Sequence, residues 1–185
     1  MSRSIHPPSL ETKFAAADLS GVDGEGSFSG YASLFGTADL SGDLVLPGAF
    51  RASIAARRPS GIRMLYQHDP AEPIGVWLEL REDGRGLFVR GRLMLDVARG
   101  REVASLMRAG ALDGLSIGFK TVKARADRAS GIRRLAEIDL WEISVVTFPM
   151  QPEARVAAVK SRPGAGTLAA QMRRAATSLN RRTAK

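Results

Sequence analysis

The chain has 185 residues, 44% hydrophobic and 25% charged, with no cysteine, two histidines and a formal charge of +8. This composition excludes disulfides, thiol catalysis and cysteine-based zinc, and it leaves neither a His-rich metal site nor the ~20-residue apolar run of a membrane span. The charge belongs to the tail: residues 161–185 carry six basic groups and no acid, against 21 basic and 19 acidic groups before them, which disfavours a nucleic-acid-binding core.

Residues 1–10 are polar and proline-bearing and read as a flexible start without the apolar core of a signal peptide. Thr12 to Ala17 and Ser27 to Phe35 read as strands around a connection rich in glycine. Pro47 to Arg58 suits a short helix with proline near its start. Ile62 to His68 is a strand leading into the Asp69-Pro70 turn. Ile74, Val76, Leu78 and Leu80 alternate with other residues, as do Leu87, Val89, Leu93 and Leu95, so the two runs form a hairpin around Glu82 to Gly86.

Asp96 is positioned to cap a helix from Val97 to Ala109, with Val103, Leu106 and Met107 inward and Gly110 as its stop. Leu115, Ile117 and Phe119 alternate, which puts Ser116 and Gly118 on the other face of a strand. A polar loop from Lys123 to Gly131 precedes a strand from Ile132 to Phe148, broken at most once. Glu153 to Lys160 reads as a last short helix. Ser161 to Gly166 has linker composition, and residues 161–185 form a flexible basic tail. The sum is one mainly β domain with a few helices (α+β), mostly antiparallel, over residues 11–160.

Three potentially reactive side chains, Ser116, His68 and Glu142, sit inside apolar, strand-like runs. Burying a hydroxyl, an imidazole or a carboxylate costs a few kcal/mol unless it is paired. Mutual pairing of the three accounts for all of them, and a serine, a histidine and an acid are the parts of nucleophilic acyl transfer. Glycines at 114 and 118 strip side chains from the face that carries Ser116, leaving its hydroxyl open to a cleft. The serine lies in a strand pattern, so Gly114 to Gly118 is not a nucleophile elbow. His68 is the one histidine outside the flexible start, and a base of near-neutral pKa is what a serine requires. The alternative for Glu142 is a salt bridge to Arg133 or Arg134, with Asp69 or Asp139 then orienting His68. No metal or cofactor is called for.

With these residues in view, the chain resembles the prohead (capsid maturation) proteases of HK97-like tailed phages and of phage-derived gene transfer agents. The matching pieces are Phe28 to Phe35, Gly42 to Phe50, Leu65-Tyr66-Gln67-His68-Asp69, Pro73-Ile74-Gly75, Leu112 to Phe119 and Leu140 to Pro149. They occur in family order over roughly residues 12 to 160. The resemblance implies an assemblin-like, antiparallel β-barrel serine protease fold that often dimerises, distantly similar to herpesvirus assemblins. It implies Ser116 as nucleophile and His68 as base, with Glu142 where assemblins carry a second histidine. The family's Pro-Ala-Asn-Pro-like turn is here Pro149-Met150-Gln151-Pro152. The implied task is to cut the scaffold-like segment from the major capsid protein inside the assembling procapsid, in the bacterial host cytoplasm, and then to cut the protease itself.

The residues alone support a serine hydrolase; the capsid substrate comes from the resemblance. A non-catalytic capsid assembly factor of the same fold is the alternative. A second is a β-barrel binding module whose basic tail grips nucleic acid or acidic protein.

Overall fold

The computed structural model describes residues 22–127 and 129–157. The expectations of a strand at Thr12 to Ala17, a flexible start and a flexible basic tail concern residues outside these. In chain order the elements are β1 (Ser27–Leu34), β2 (Asp43–Val45), α1 (Arg51–Arg57), β3 (Arg63–Tyr66), β4 (Asp69–Glu82), β5 (Gly86–Leu93), α2 (Ala98–Arg108), β6 (Gly114–Ala126), β7 (Arg133–Val146) and β8 (Val156–Ala157).

Alternating apolar side chains drive the strands together, because each such strand has one face to remove from water. All eight join one sheet, ordered β2-β7-β3-β4-β5-β1-β8, with β6 on the other edge of β7. Its ends approach each other where Gly114 bridges Arg155 and the Leu115 N–H donates to the Ala154 carbonyl at 2.8 Å. The sheet is therefore curled nearly into a barrel. Phe28, Leu87, Val89, Leu115, Leu135, Leu140 and Ile143 fill its interior, and Trp77 meets Phe28 edge-on at 5.7 Å.

Pairing is antiparallel except at β7, which takes β2 and β3 in parallel along one edge. β2 is the element that the sequence reading lacked. The expected loop from Lys123 is shorter than foreseen, since β6 pairs with β7 as far as Ala126. The expected helix from Glu153 is corrected to a turn followed by β8, whose pairing with β1 takes those backbone groups.

The two helices form where expected. Gly110, with φ +73, ends α2. Asp96 does not cap α2: the N-cap is Val97, with no side-chain hydrogen bond. Leu106 is half exposed, and the buried stripe is Gly100, Val103, Ala104 and Met107. Gly100 belongs to that stripe because a side chain there would run into the Met94 carbonyl.

α1 positions the part of β7 that matters most. Gly118 pairs with Glu142 and the next β6 residue, Phe119, with Leu140, so Trp141 is the extra residue of a β-bulge. Ser53 on α1 fills the break, accepting from the Leu140 N–H at 2.7 Å and donating to the Leu140 carbonyl. The bulge resets the alternation. Leu140, Ile143 and Val145 all point into the core, while Glu142 and Ser144 point outward.

Candidate active site

The outer face of β3, β7 and β6 presents two rows of residues in register. One row is Leu65, Ser144 and Ser116; the next is Arg63, Glu142 and Gly118. Cross-strand partners share a face, so Ser116, Ser144 and Glu142 stand together on the side of the sheet away from the core. His68 reaches this face from the end of β3.

It gets there by an unusual backbone path. Gln67 and His68 have φ of 53° and 61°, two consecutive non-glycine residues in the left-handed region. Each costs on the order of 1–3 kcal/mol and persists only where surrounding contacts hold it. Part of the hold is the β3–β4 hairpin itself, whose Tyr66–Asp69 pair closes a two-residue turn of the kind that favours positive φ at both positions. Further contacts come from the end of β7 and Thr147 just after it. The Gln67 N–H donates to the Val145 carbonyl at 3.0 Å and its side-chain amide to Thr147 Oγ1 at 2.7 Å. The His68 N–H donates to Ser144 Oγ at 3.1 Å.

The turn lays the imidazole against Glu142, with His68 Nδ1 2.6 Å from Glu142 Oε1. The second carboxylate oxygen accepts from the Ser144 hydroxyl at 2.6 Å. Glu142 is thus held at both oxygens, with its side chain only 13% exposed. The hydrogen bond to Glu142, reinforced by its charge, raises the His68 pKa above the ordinary imidazole value against the burial that would lower it.

Two of the three sequence candidates therefore pair, and the third does not join them. Ser116 is 5% exposed on β6, directly across from Ser144, and among the described residues its hydroxyl joins none of the bonds that link His68, Glu142 and Ser144. The reason for the neighbouring glycine also differs from the one expected. A Cβ at Gly118 would lie 2.8 Å from Glu142 Cδ and collide with Oε1. Gly118 makes room for the carboxylate rather than baring the serine. Gly114 is needed elsewhere: its Cβ would lie 2.6 Å from the Val146 carbonyl and 2.8 Å from Pro149.

The alternate acids are engaged away from His68. Asp139 binds Arg57 through both oxygens, at 2.8 Å each, and also accepts from the Trp141 indole at 2.7 Å. Asp69 accepts from the Ala71 N–H at 2.8 Å in a local turn. Arg133, offered as a partner for Glu142, instead binds Asp43 at 2.6 Å.

In the turn after β7, Gln151 is buried and mimics a strand. It accepts from the Leu34 N–H at 2.6 Å and donates to the Leu34 and Thr37 carbonyls. The sequence reading left Ser144 and Gln151 without roles. A buried hydroxyl two residues from Glu142 on an alternating strand is the signal that would have found Ser144. Among the described residues no group of three or more His, Asp or Glu side chains could hold a metal, and no helix is long and apolar enough to cross a membrane.

Comparison with known proteins gives a consistent picture. The caudovirus prohead serine protease family matches residues 11–167. The prohead protease of Enterobacteria phage HK97 is 38% identical over 146 residues, 78% of this chain and 64% of its own length, so the match spans just under two thirds of that relative. Part of the capsid polyprotein of Pseudomonas phage PAJU2 is 31% identical over 106 residues, 54% of this chain and 16% of that one. Among solved structures, the capsid assembly protease of bacteriophage T4 superimposes with a TM-score of 0.52 at 16% identity, over 65% of this chain and 80% of its own; that likeness is one of fold. A family match over most of the chain, with a relative of this identity, places it: the chain belongs to the caudovirus prohead serine protease family.

Proposed function

We propose that the chain is a serine endopeptidase that removes the scaffold-like segment of the major capsid protein during prohead maturation and also cuts itself. The observation that carries the reading is which nitrogen of His68 is occupied. Nδ1 faces a carboxylate that is itself held at both oxygens. With Glu142 ionised, Nδ1 carries the proton, and Nε2 of the neutral ring is left as a base. Ser116 lies across the sheet from Ser144, whose hydroxyl touches both Glu142 and the His68 backbone.

In this reading Ser116 Oγ attacks the scissile carbonyl while His68 Nε2 takes its proton. The tetrahedral intermediate collapses as His68 returns the proton to the leaving amine, and an acyl ester remains on Ser116. Water, deprotonated by His68, attacks that ester, and the Ser116 hydroxyl is restored with its proton from the imidazolium. Glu142 fixes the tautomer and offsets the imidazolium charge in both halves. Catalytic hydrogen bonds are often completed only with substrate in place, which fits a serine not yet bonded to the imidazole.

The capsid substrate is supported by the family's description as prohead proteases and by the PAJU2 relative, named a capsid polyprotein. The site of action would be the assembling procapsid in the host cell. Co-expression of the full chain with the major capsid protein from the same source, followed by mass measurement of the capsid protein, tests the proposal. A truncated capsid protein with wild type and an intact one with Ser116→Ala is the expected result. Equal masses in the two cultures would overturn it.

A further inference from the structure

Ser144 has no part in the chemistry above, yet it is fully buried and makes two hydrogen bonds that no other side chain makes. Its hydroxyl donates to Glu142 Oε2 at 2.6 Å and accepts the His68 N–H at 3.1 Å. A hydroxyl has one proton to give and lone pairs to accept with, so both roles are met at once. We propose that Ser144 is a positioning residue of the site, clamping the carboxylate of Glu142 and the backbone of His68 into the geometry that joins them. The proposal rests on the reading of Ser116, His68 and Glu142 as the reacting set.

The physical argument has two halves. On the side-chain half, Glu142 could rotate away from His68 about its outer torsions, since a carboxylate's terminal rotation is broad. The Ser144 bond to Oε2 restricts that rotation, leaving Oε1 aimed at Nδ1. On the backbone half, His68 sits at φ 61° in the two-residue turn closed by the Tyr66–Asp69 pair, and its N–H is tied to β7 through Ser144 Oγ. Removing the acceptor for its N–H loosens the turn at the residue whose side chain must not move. Thr147 secures the side chain of the preceding residue, Gln67, and hydrogen-bonds to neither Glu142 nor His68. Among the described residues, Ser144 is the one side chain that hydrogen-bonds to both Glu142 and the His68 backbone, and so couples the two halves.

The other charged groups around the imidazole do not substitute for this arrangement. Arg63 pairs with Glu142 in the β3–β7 register, Lys120 lies further along β6, and Asp69 follows His68 in the chain. The displacement of the His68 titration comes from Glu142 and none of these. A loosened Glu142 should therefore be visible at His68 directly, without any substrate.

The test uses the full chain and two readouts: the NMR titration of His68, assigned against a His6→Gln control, and the rate of Ser116 labelling by a fluorophosphonate probe. Ser144→Ala should move the His68 midpoint down toward the ordinary imidazole value and slow labelling roughly 10–100-fold. Ser144→Cys, which fills the same space with a weak donor, should behave like Ser144→Ala and serves if the alanine variant fails to fold. In a Glu142→Gln background, Ser144→Ala should add little, because the serine acts through that carboxylate. A folded Ser144→Ala or Ser144→Cys protein with the wild-type His68 midpoint would overturn the proposal, as would effects that add fully to those of Glu142→Gln. Failure of the underlying reading looks different: wild type would then label no faster than Ser116→Ala, whatever His68 does.

Discussion

Asp139 and Glu142 stand on either side of the Trp141 bulge of β7, and both carboxylates have both oxygens occupied. Asp139 faces Arg57 through two parallel bonds and takes a third from the Trp141 indole. Its pKa is held below the ordinary carboxylate value, chiefly by the Arg57 hydrogen bond. Glu142 faces an imidazole, with a serine hydroxyl on its other oxygen. The difference lies in the partners. A guanidinium never titrates near neutrality, so Asp139 and Arg57 tie α1 to the sheet and have no proton to move. An imidazole does titrate there, and binding it through one nitrogen leaves the other free to act. One strand thus carries a fixing carboxylate and an orienting one, and the bulge between them aims each at its partner.

The largest effect that can test this contrast is at Ser116, the proposed nucleophile. Ser116→Ala should lower capsid-protein cleavage by on the order of 10⁴-fold or more, with an unchanged melting temperature. Glu142→Gln keeps the packing but alters the bond to Nδ1, and the rate per folded molecule should fall by on the order of 10³–10⁴-fold. Gly118→Ala pushes a Cβ into the carboxylate's space, and a displacement of that size should cost about 10²-fold in rate while Ser116 and His68 remain chemically intact. Asp139→Asn should do the reverse of Glu142→Gln: turnover per folded molecule stays at the wild-type level and the melting temperature drops. Because the Asp139 pKa is depressed on folding, its contribution to stability is present above the unfolded carboxylate value and lost as pH falls through the folded one. Melting curves of Asp139→Asn and wild type should therefore converge in acid.

How much of this was legible in the sequence depended on the range of the interaction. The alternation of β5, with Leu87, Val89 and Leu93 buried, follows from period-2 burial and needed no tertiary information. In β4 the expected alternation is corrected: Val76 and Leu78 are exposed, Trp77 between them is buried, and a register shift against β5 between Trp77 and Glu79 returns Leu80 to the core. β2 has only Asp43, Leu44 and Val45 and exists because β7 offers an edge to it, a fact no local window contains. Leu106 fits the helical period but faces a side of α2 that nothing among the described residues covers. The grouping of His68, Ser116 and Glu142 as candidates came from the cost of burying polar groups. The bulge at Trp141, the left-handed turn at Gln67 and His68 and the role of Gly118 did not, since each depends on a partner from a distant segment. Ser144 is open to the same burial argument as Ser116, being a hydroxyl on the same apolar run as Glu142.

The pH dependence of cleavage tests the central claim most directly, that Glu142 and not Asp139 sets the base. On the proposed mechanism His68 must be neutral to accept the Ser116 proton, so activity should rise with pH through the His68 pKa of the folded protein. Glu142 raises that pKa, so the wild-type midpoint should lie above the ordinary imidazole value of 6.5. The stabilisation from the charged pair has the opposite course, complete below the unfolded imidazole value and lost as pH rises through the folded one. Glu142→Gln should shift the midpoint of its residual activity downward, and Asp139→Asn should leave it in place. A rate that is flat from acid to neutral pH, or a midpoint moved by Asp139→Asn and not by Glu142→Gln, would contradict the account.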